Sequence, residues 1–144
     1  MGCDIHAHSE VKINGVWHHL SGELPFERNY DLFTRMAGVR RYSDEIESIS
    51  EPRGLPEDLS FLTRFIYDEY GVEGHSHSWL SAAEVSDLGK WMREQRKKYN
   101  TTEYWYPEKV IGYIFGNGWD LFTKYRDDLP EGVEDARLVF WFDN

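Results

Sequence analysis

The first twenty residues constrain the fold more than any other stretch. From Cys3 to Ile13 the chain alternates, with Cys3, Ile5, Ala7, Ser9, Val11 and Ile13 on one side and Asp4, His6, His8, Glu10 and Lys12 on the other. A period of two over this length specifies a half-buried β-strand. Asn14-Gly15 follows, and Val16-Trp17-His18-His19-Leu20 resumes the pattern. Asn and Gly both tolerate positive φ, so the dipeptide predicts a two-residue hairpin turn. Such a turn sets Ile13 opposite Val16, Lys12 opposite Trp17, Val11 opposite His18 and Glu10 opposite His19. Asp4, His6, His8, Glu10, Trp17 and His19 then share one polar face, with same-side neighbours along a strand about 6–7 Å apart.

Downstream, residues 21–29 contain Gly22 and Pro25 and read as a loop, and Asn29 is suited to cap a short helix over 29–38. Residues 39–57 are polar, carry Pro52, Gly54 and Pro56, and read as a long irregular segment of the kind that often serves function. Leu59, Leu62, Phe65, Ile66 and Tyr70 recur at helical spacing and predict a helix over 58–70, ended by Gly71 and Gly74. His75-Ser76-His77-Ser78-Trp79 reads as a loop, followed by a helix over 80–99 with Ser81 or Ser86 as its cap and Lys97-Lys98 near its end. Pro107 suits the start of another helix to about Phe115, and a short one is expected over 119–127. The run Ala136–Phe142 is dense in β-formers and reads as a strand able to lie antiparallel beside the first. The expected fold is α+β: a small antiparallel sheet, made of the N-terminal hairpin and the C-terminal strand, packed with several helices in a single domain over 1–144. A chain of 144 residues with 40% apolar side chains has room for one core.

Charge and cysteine usage narrow the setting. A net charge of −10 repels duplex nucleic acid and anionic lipid alike. Cys3 is the only cysteine, so no disulfide forms within the chain, which fits a reducing, cytoplasmic compartment. Its place in the alternation makes it a packing residue. No apolar run approaches a membrane span. Met1-Gly2-Cys3-Asp4 lacks the pattern of a signal peptide, and His6 stands where myristoylation wants Ser or Thr.

The six histidines fall in three close pairs, His6/His8, His18/His19 and His75/His77. Paired imidazoles suit metal binding, acid–base work or an anion. Asp4-Ile5-His6-Ala7-His8 resembles the opening of metal-dependent phosphoesterases of the polymerase-and-histidinol-phosphatase type, over five residues only, and the chain is too short for their barrel. The cofactor expectation is therefore none, or a divalent metal. Without metal, His6 and one of His75 or His77 could serve as acid and base across a phosphodiester, with Glu10 or Asp4 orienting a ring. Two-histidine phosphoesterases place Ser or Thr two residues after each histidine. Here those positions hold His8, Glu10, His77 and Trp79, so that motif is not met. Glu10 could equally be a plain cross-strand partner of His19. Arg28 and Arg53 are the leading phosphate contacts, ahead of Arg40 and Arg41. Aromatic residues, 16% of the chain, serve a core or stack on bases; Trp79 is open to both roles. Gly116-Asn117-Gly118 is too short for a phosphate-binding loop.

Met1-Gly2-Cys3-Asp4-Ile5-His6, Glu27-Arg28-Asn29-Tyr30, Glu51-Pro52-Arg53-Gly54-Leu55-Pro56, Gly74-His75-Ser76-His77-Ser78-Trp79 and Val139-Phe140-Trp141-Phe142-Asp143-Asn144 resemble a family of small bacteriophage and prophage proteins. The resemblance spans nearly the whole chain and implies a phage protein acting in the cytoplasm of an infected bacterium. Small phage proteins include some that defeat nucleotide-based immunity by cleaving the signal or holding it. Joined to the residues above, this gives two expectations. The first is a phosphodiesterase of a cyclic or dinucleotide signal, with His6, His75, His77 and Glu10 catalytic and Asp4, Arg28, Tyr30, Arg53 and Trp79 binding. The alternative is a non-catalytic sponge for a signal such as a cyclic ADP-ribose or cyclic dinucleotide, in a pocket that two subunits could share. A third reading is a protein-binding inhibitor whose acidic surface mimics nucleic acid.

Overall fold

The computed structural model describes residues 2–20, 23–24, 26–99 and 131–144. The helices expected over 107–115 and 119–127 lie outside them. Asn14 and Gly15 both take positive φ, 50° and 78°, and fold β1 (Asp4–Ile13) back onto β2 (Val16–His19). The hairpin has the expected register, Ile13 opposite Val16 through Glu10 opposite His19. The C-terminal run forms β4 (Asp135–Asp143), antiparallel to β1 from Asp4–Asp143 to Lys12–Asp135. Residues 136–142 are all buried, because β4 is central and both of its faces are covered.

The segment 75–79 is a strand, not the expected loop. It opens β3 (His75–Ser81), which pairs antiparallel with β4 and completes a sheet of order β2-β1-β4-β3. Ser76 takes φ 55°, and the register shifts between His75 and Ser78. A bulge of this kind breaks the alternation by which a strand is recognised.

On the apolar side of the sheet, Ile5, Ala7 and Val11 of β1 join Leu138, Phe140 and Phe142 of β4. They pack against Leu32, Phe33 and Met36 of α1 (Tyr30–Ala37) and Val85, Leu88 and Met92 of α3 (Ala82–Tyr99). Asn29 caps α1 by accepting from the Leu32 N–H, and Gly38 closes it at φ 71°. At the start of α3, the Glu84 N–H donates to Ser81 Oγ and the Ser81 N–H donates to Glu84 Oε1, a reciprocal capping box. Cys3 is buried in the core.

The other side of the sheet departs from expectation. It is not a solvated polar surface, since His8 and Glu10 are buried. It is covered in part by the segment expected as one helix over 58–70. That segment is α2 (Phe61–Ile66), capped by Ser60, followed by a π-helical turn, Tyr67–Gly71. Thr63 and Gly71 face inward, while Phe61, Leu62, Phe65 and Tyr70 are exposed. An apolar stripe ordinarily seeks the core. Here the surface beneath carries a carboxylate, and the Ser60 N–H donates to Glu10 Oε2. A buried carboxylate needs such donors, so the helix lies with its polar side down. No helix among the described residues is long and apolar enough to cross a membrane.

Candidate functional site

Two assemblies of arginine, carboxylate and tryptophan stand at the hairpin end of the polar face. In the first, Arg137 lies opposite Glu10 in the β1–β4 ladder. Its Nε and Nη2 donate to Glu10 Oε1 at 2.9 and 2.7 Å, and Nη1 donates to Asp58 at 2.8 Å. That guanidinium holds the Asp58 carboxyl below its ordinary range. It also sits 3.8 Å from the centre of the Trp17 ring, whose Nε1 donates to the same aspartate at 3.0 Å. In the second assembly, Arg53 donates to both oxygens of Glu84 at 2.7 Å and to the Trp79 carbonyl at 2.9 Å. Its guanidinium lies 4.6 Å from the Trp79 ring centre. The Glu84 carboxyl is held low, chiefly by this hydrogen-bonded arginine.

Both assemblies border one cleft of about 560 Å³, which Leu55, Pro56 and Lys12 also line. The Gly54 N–H donates to the His77 carbonyl at 2.8 Å, and the Arg53 N–H to Ser78 Oγ at 3.1 Å. These bonds lay the Arg53 loop along the β3 edge and fix one wall of the cleft. Each tryptophan has a guanidinium against it. Arg137 spends its donors on Glu10 and Asp58, whereas Arg53 keeps its Nε–H and part of Nη2 beyond the bonds just described.

The opposite end of the sheet holds a second cluster. His6 Nε2 is 2.6 Å from Asp143 Oδ2, and its Nδ1 is bound to Glu23. Partial burial disfavours the charged ring, but the two carboxylates outweigh it and raise the His6 pKa. Beside it, Arg28 Nε donates to Asp4 at 2.9 Å, and the Cys3 N–H donates to the Tyr30 hydroxyl at 3.1 Å. His75 Nε2 lies 3.1 Å from the Asn144 side chain. Between the two ends, His8 Nδ1 is 3.1 Å from His19 Nε2, and burial pushes the His8 pKa down to about 4, with the charges of His19 and His6 adding to it.

The expected site residues are thus divided. Asp4, His6, Arg28, Tyr30 and His75 gather at one end of the sheet, and Arg53 and Trp79 at the other. Glu10 orients no imidazole and is bound instead by Arg137 and Ser60. His6 and His75 do not face each other. His75 pairs with Phe142 on the core side, whereas His6 pairs with Trp141 on the polar side. His77 meets Tyr67, which meets Trp141, which stacks on His6, so two rings stand between the histidines. Among the described residues no three His, Cys, Asp or Glu side chains are grouped to hold a metal ion. The Asp4-x-His6-x-His8 run disperses, with Asp4 held by Arg28, His6 by two carboxylates and His8 by His19.

Arg137, Lys12 and Trp17 form much of the cleft and were not among the expected site residues. Arg137 becomes visible once the last strand is set in register on the first, which puts it opposite Glu10. Comparison of the chain with profiles of protein families, with curated proteins and with solved structures finds no match.

Proposed function

We propose that this chain binds and sequesters a nucleotide-like anion in the cleft between Trp17 and Trp79. The observation that carries the reading is that cleft of about 560 Å³, with two indoles, Lys12 and the guanidinium of Arg53 on its walls. An indole face stacks on any base, and half-exposed Trp79 is the one placed to offer it, with the cationic Arg53 beside it to suit a phosphate. The volume falls in the range of ordinary small-molecule sites. Holding a ligand needs no acid–base pair, and His6, His75 and His77 are not set as one. In the bacteriophage setting that the sequence resemblance implies, retaining a cyclic dinucleotide or cyclic ADP-ribose signal would silence the defence it triggers.

The test is to incubate the purified chain with cyclic mononucleotides, cyclic dinucleotides and cyclic ADP-ribose, separate bound from free, and analyse the small molecules by chromatography. Sequestration predicts that one ligand is depleted and returns intact after heat denaturation. New products would favour the phosphodiesterase instead, and loss of turnover in His6→Ala would assign it to the His6 cluster. No depletion of any ligand ends the nucleotide reading. Trp79→Ala is expected to weaken binding by roughly tenfold or more, since base stacking on an aromatic ring contributes about 1–3 kcal/mol. Quenching of tryptophan fluorescence measures this.

A further inference from the structure

We propose that the cleft between Trp17 and Trp79 selects guanine, through the Asp58 carboxylate on its wall. The inference rests on the nucleotide reading above and names the base which that reading leaves open. Trp17 is only 9% exposed, and the Arg137 guanidinium lies 3.8 Å from its ring centre, so its face is not offered for stacking. Its indole acts as a donor instead. Nε1 donates to Asp58 Oδ2 at 3.0 Å, Arg137 Nη1 donates to Oδ1 at 2.8 Å, and Arg137 Nη2 donates to the main-chain carbonyl of Asp58 at 3.2 Å. One residue from β2 and one from β4 thus fix both oxygens of a single carboxylate.

That carboxylate is held but not hidden, for the Asp58 side chain is 65% exposed where it lines the cleft. A carboxylate has about four lone-pair positions. Arg137 and Trp17 take one on each oxygen, so both oxygens can accept again. Arg137 keeps the group ionised at neutral pH, and in that form it accepts and does not donate. It repels a phosphate, which Arg53 and Lys12 serve. The part of a nucleotide that Asp58 can serve is the base.

Stacking on Trp79 does not discriminate, because every base has a π-face. A fixed pair of acceptors does. Among the common bases only guanine sets two N–H donors side by side, N1–H and the N2 amino group, at a spacing that matches the two oxygens of a carboxylate. Adenine and cytosine each place a ring nitrogen that accepts beside their amino group, and uracil flanks its single N–H with carbonyls. Turned toward Asp58, each of these would set a lone pair against a charged oxygen. Guanine alone satisfies both oxygens at once.

Equilibrium dialysis of the full chain tests this, with cyclic GMP, cyclic IMP and cyclic AMP as one series and cyclic di-GMP against cyclic di-AMP as another. In whichever series binds, the guanine ligand is expected to be held roughly tenfold or more tighter than the adenine ligand. Cyclic IMP keeps N1–H and lacks only the amino group, so it should fall between the other two. Asp58→Asn turns an N–H toward the guanine donors and should bring the guanine ligand down to the affinity of the adenine ligand. The adenine ligand should bind that variant no more weakly than it binds the parent, which shows the cleft intact. Equal affinity for the two bases in the parent chain overturns the inference and leaves sequestration standing, as does a guanine preference that survives Asp58→Asn. Failure of every ligand to bind overturns both.

Discussion

His6 and His8 stand two residues apart on the same side of β1, yet their surroundings drive them in opposite directions. For His8, burial and the neighbouring imidazoles hold the pKa near 4, below its ordinary 6.5. Between those values the unfolded chain binds a proton that the native state refuses, so stability rises with pH across the window. Taken fully, this is about 3 kcal/mol. His6 is raised by Asp143 and Glu23, so its contribution is complete below the ordinary histidine value and fades as pH climbs through the native one. Urea titrations over a pH series should therefore show His8→Gln flattening the acid limb and His6→Gln flattening the decline on the alkaline side. Arg137→Met leaves Glu10 buried and short of its partner, and should cost about 3–5 kcal/mol by the same measurement. The sequence placed Glu10 on the correct face and opposite His19, but left out the arginine that binds its carboxylate. Alternation reports a face; it carries no information on which residue of a strand 127 positions away will arrive opposite.

Elements were legible wherever a local signal was complete. Asn14-Gly15 announced the hairpin and its register, Asn29 the start of α1, and the Ala136–Phe142 run a buried strand. β3 was missed because Ser76 at φ 55° interrupts the alternation, and such a bulge is stabilised by the neighbouring ladder with β4, which is a tertiary matter. α2 was found, but its orientation was not. Helical spacing locates an apolar stripe, and only the carboxylate waiting on β1 explains why the stripe points away. Two substitutions test this segment. Ser60→Ala removes the oxygen that accepts from the Thr63 N–H and should cost about 1 kcal/mol. At Gly74 an added Cβ would stand 2.7 Å from the Trp141 ring and 3.0–3.1 Å from two carbonyl oxygens, so Gly74→Ala should cost about 1–3 kcal/mol in urea unfolding.

At the scale of the molecule, the cleft is assembled from β1, β2, the Arg53 loop, β3 and β4, and this explains why only half of it could be read in advance. Arg53 and Trp79 stood out by their flanking residues, whereas Trp17, Lys12 and Arg137 become neighbours of theirs only through the strand order β2-β1-β4-β3. That order also governs how the chain can be made. The strand against which β1 lies along its length follows it by more than 120 residues, so a nascent chain on the ribosome holds a hairpin with one open edge until residues 135–143 emerge. Contacts of such sequence separation form slowly. During that interval the apolar side of β1 is bare. Synthesis under crowded conditions should therefore be where this chain most needs a chaperone, and a pulse of protease during translation should cut it far more readily than after release.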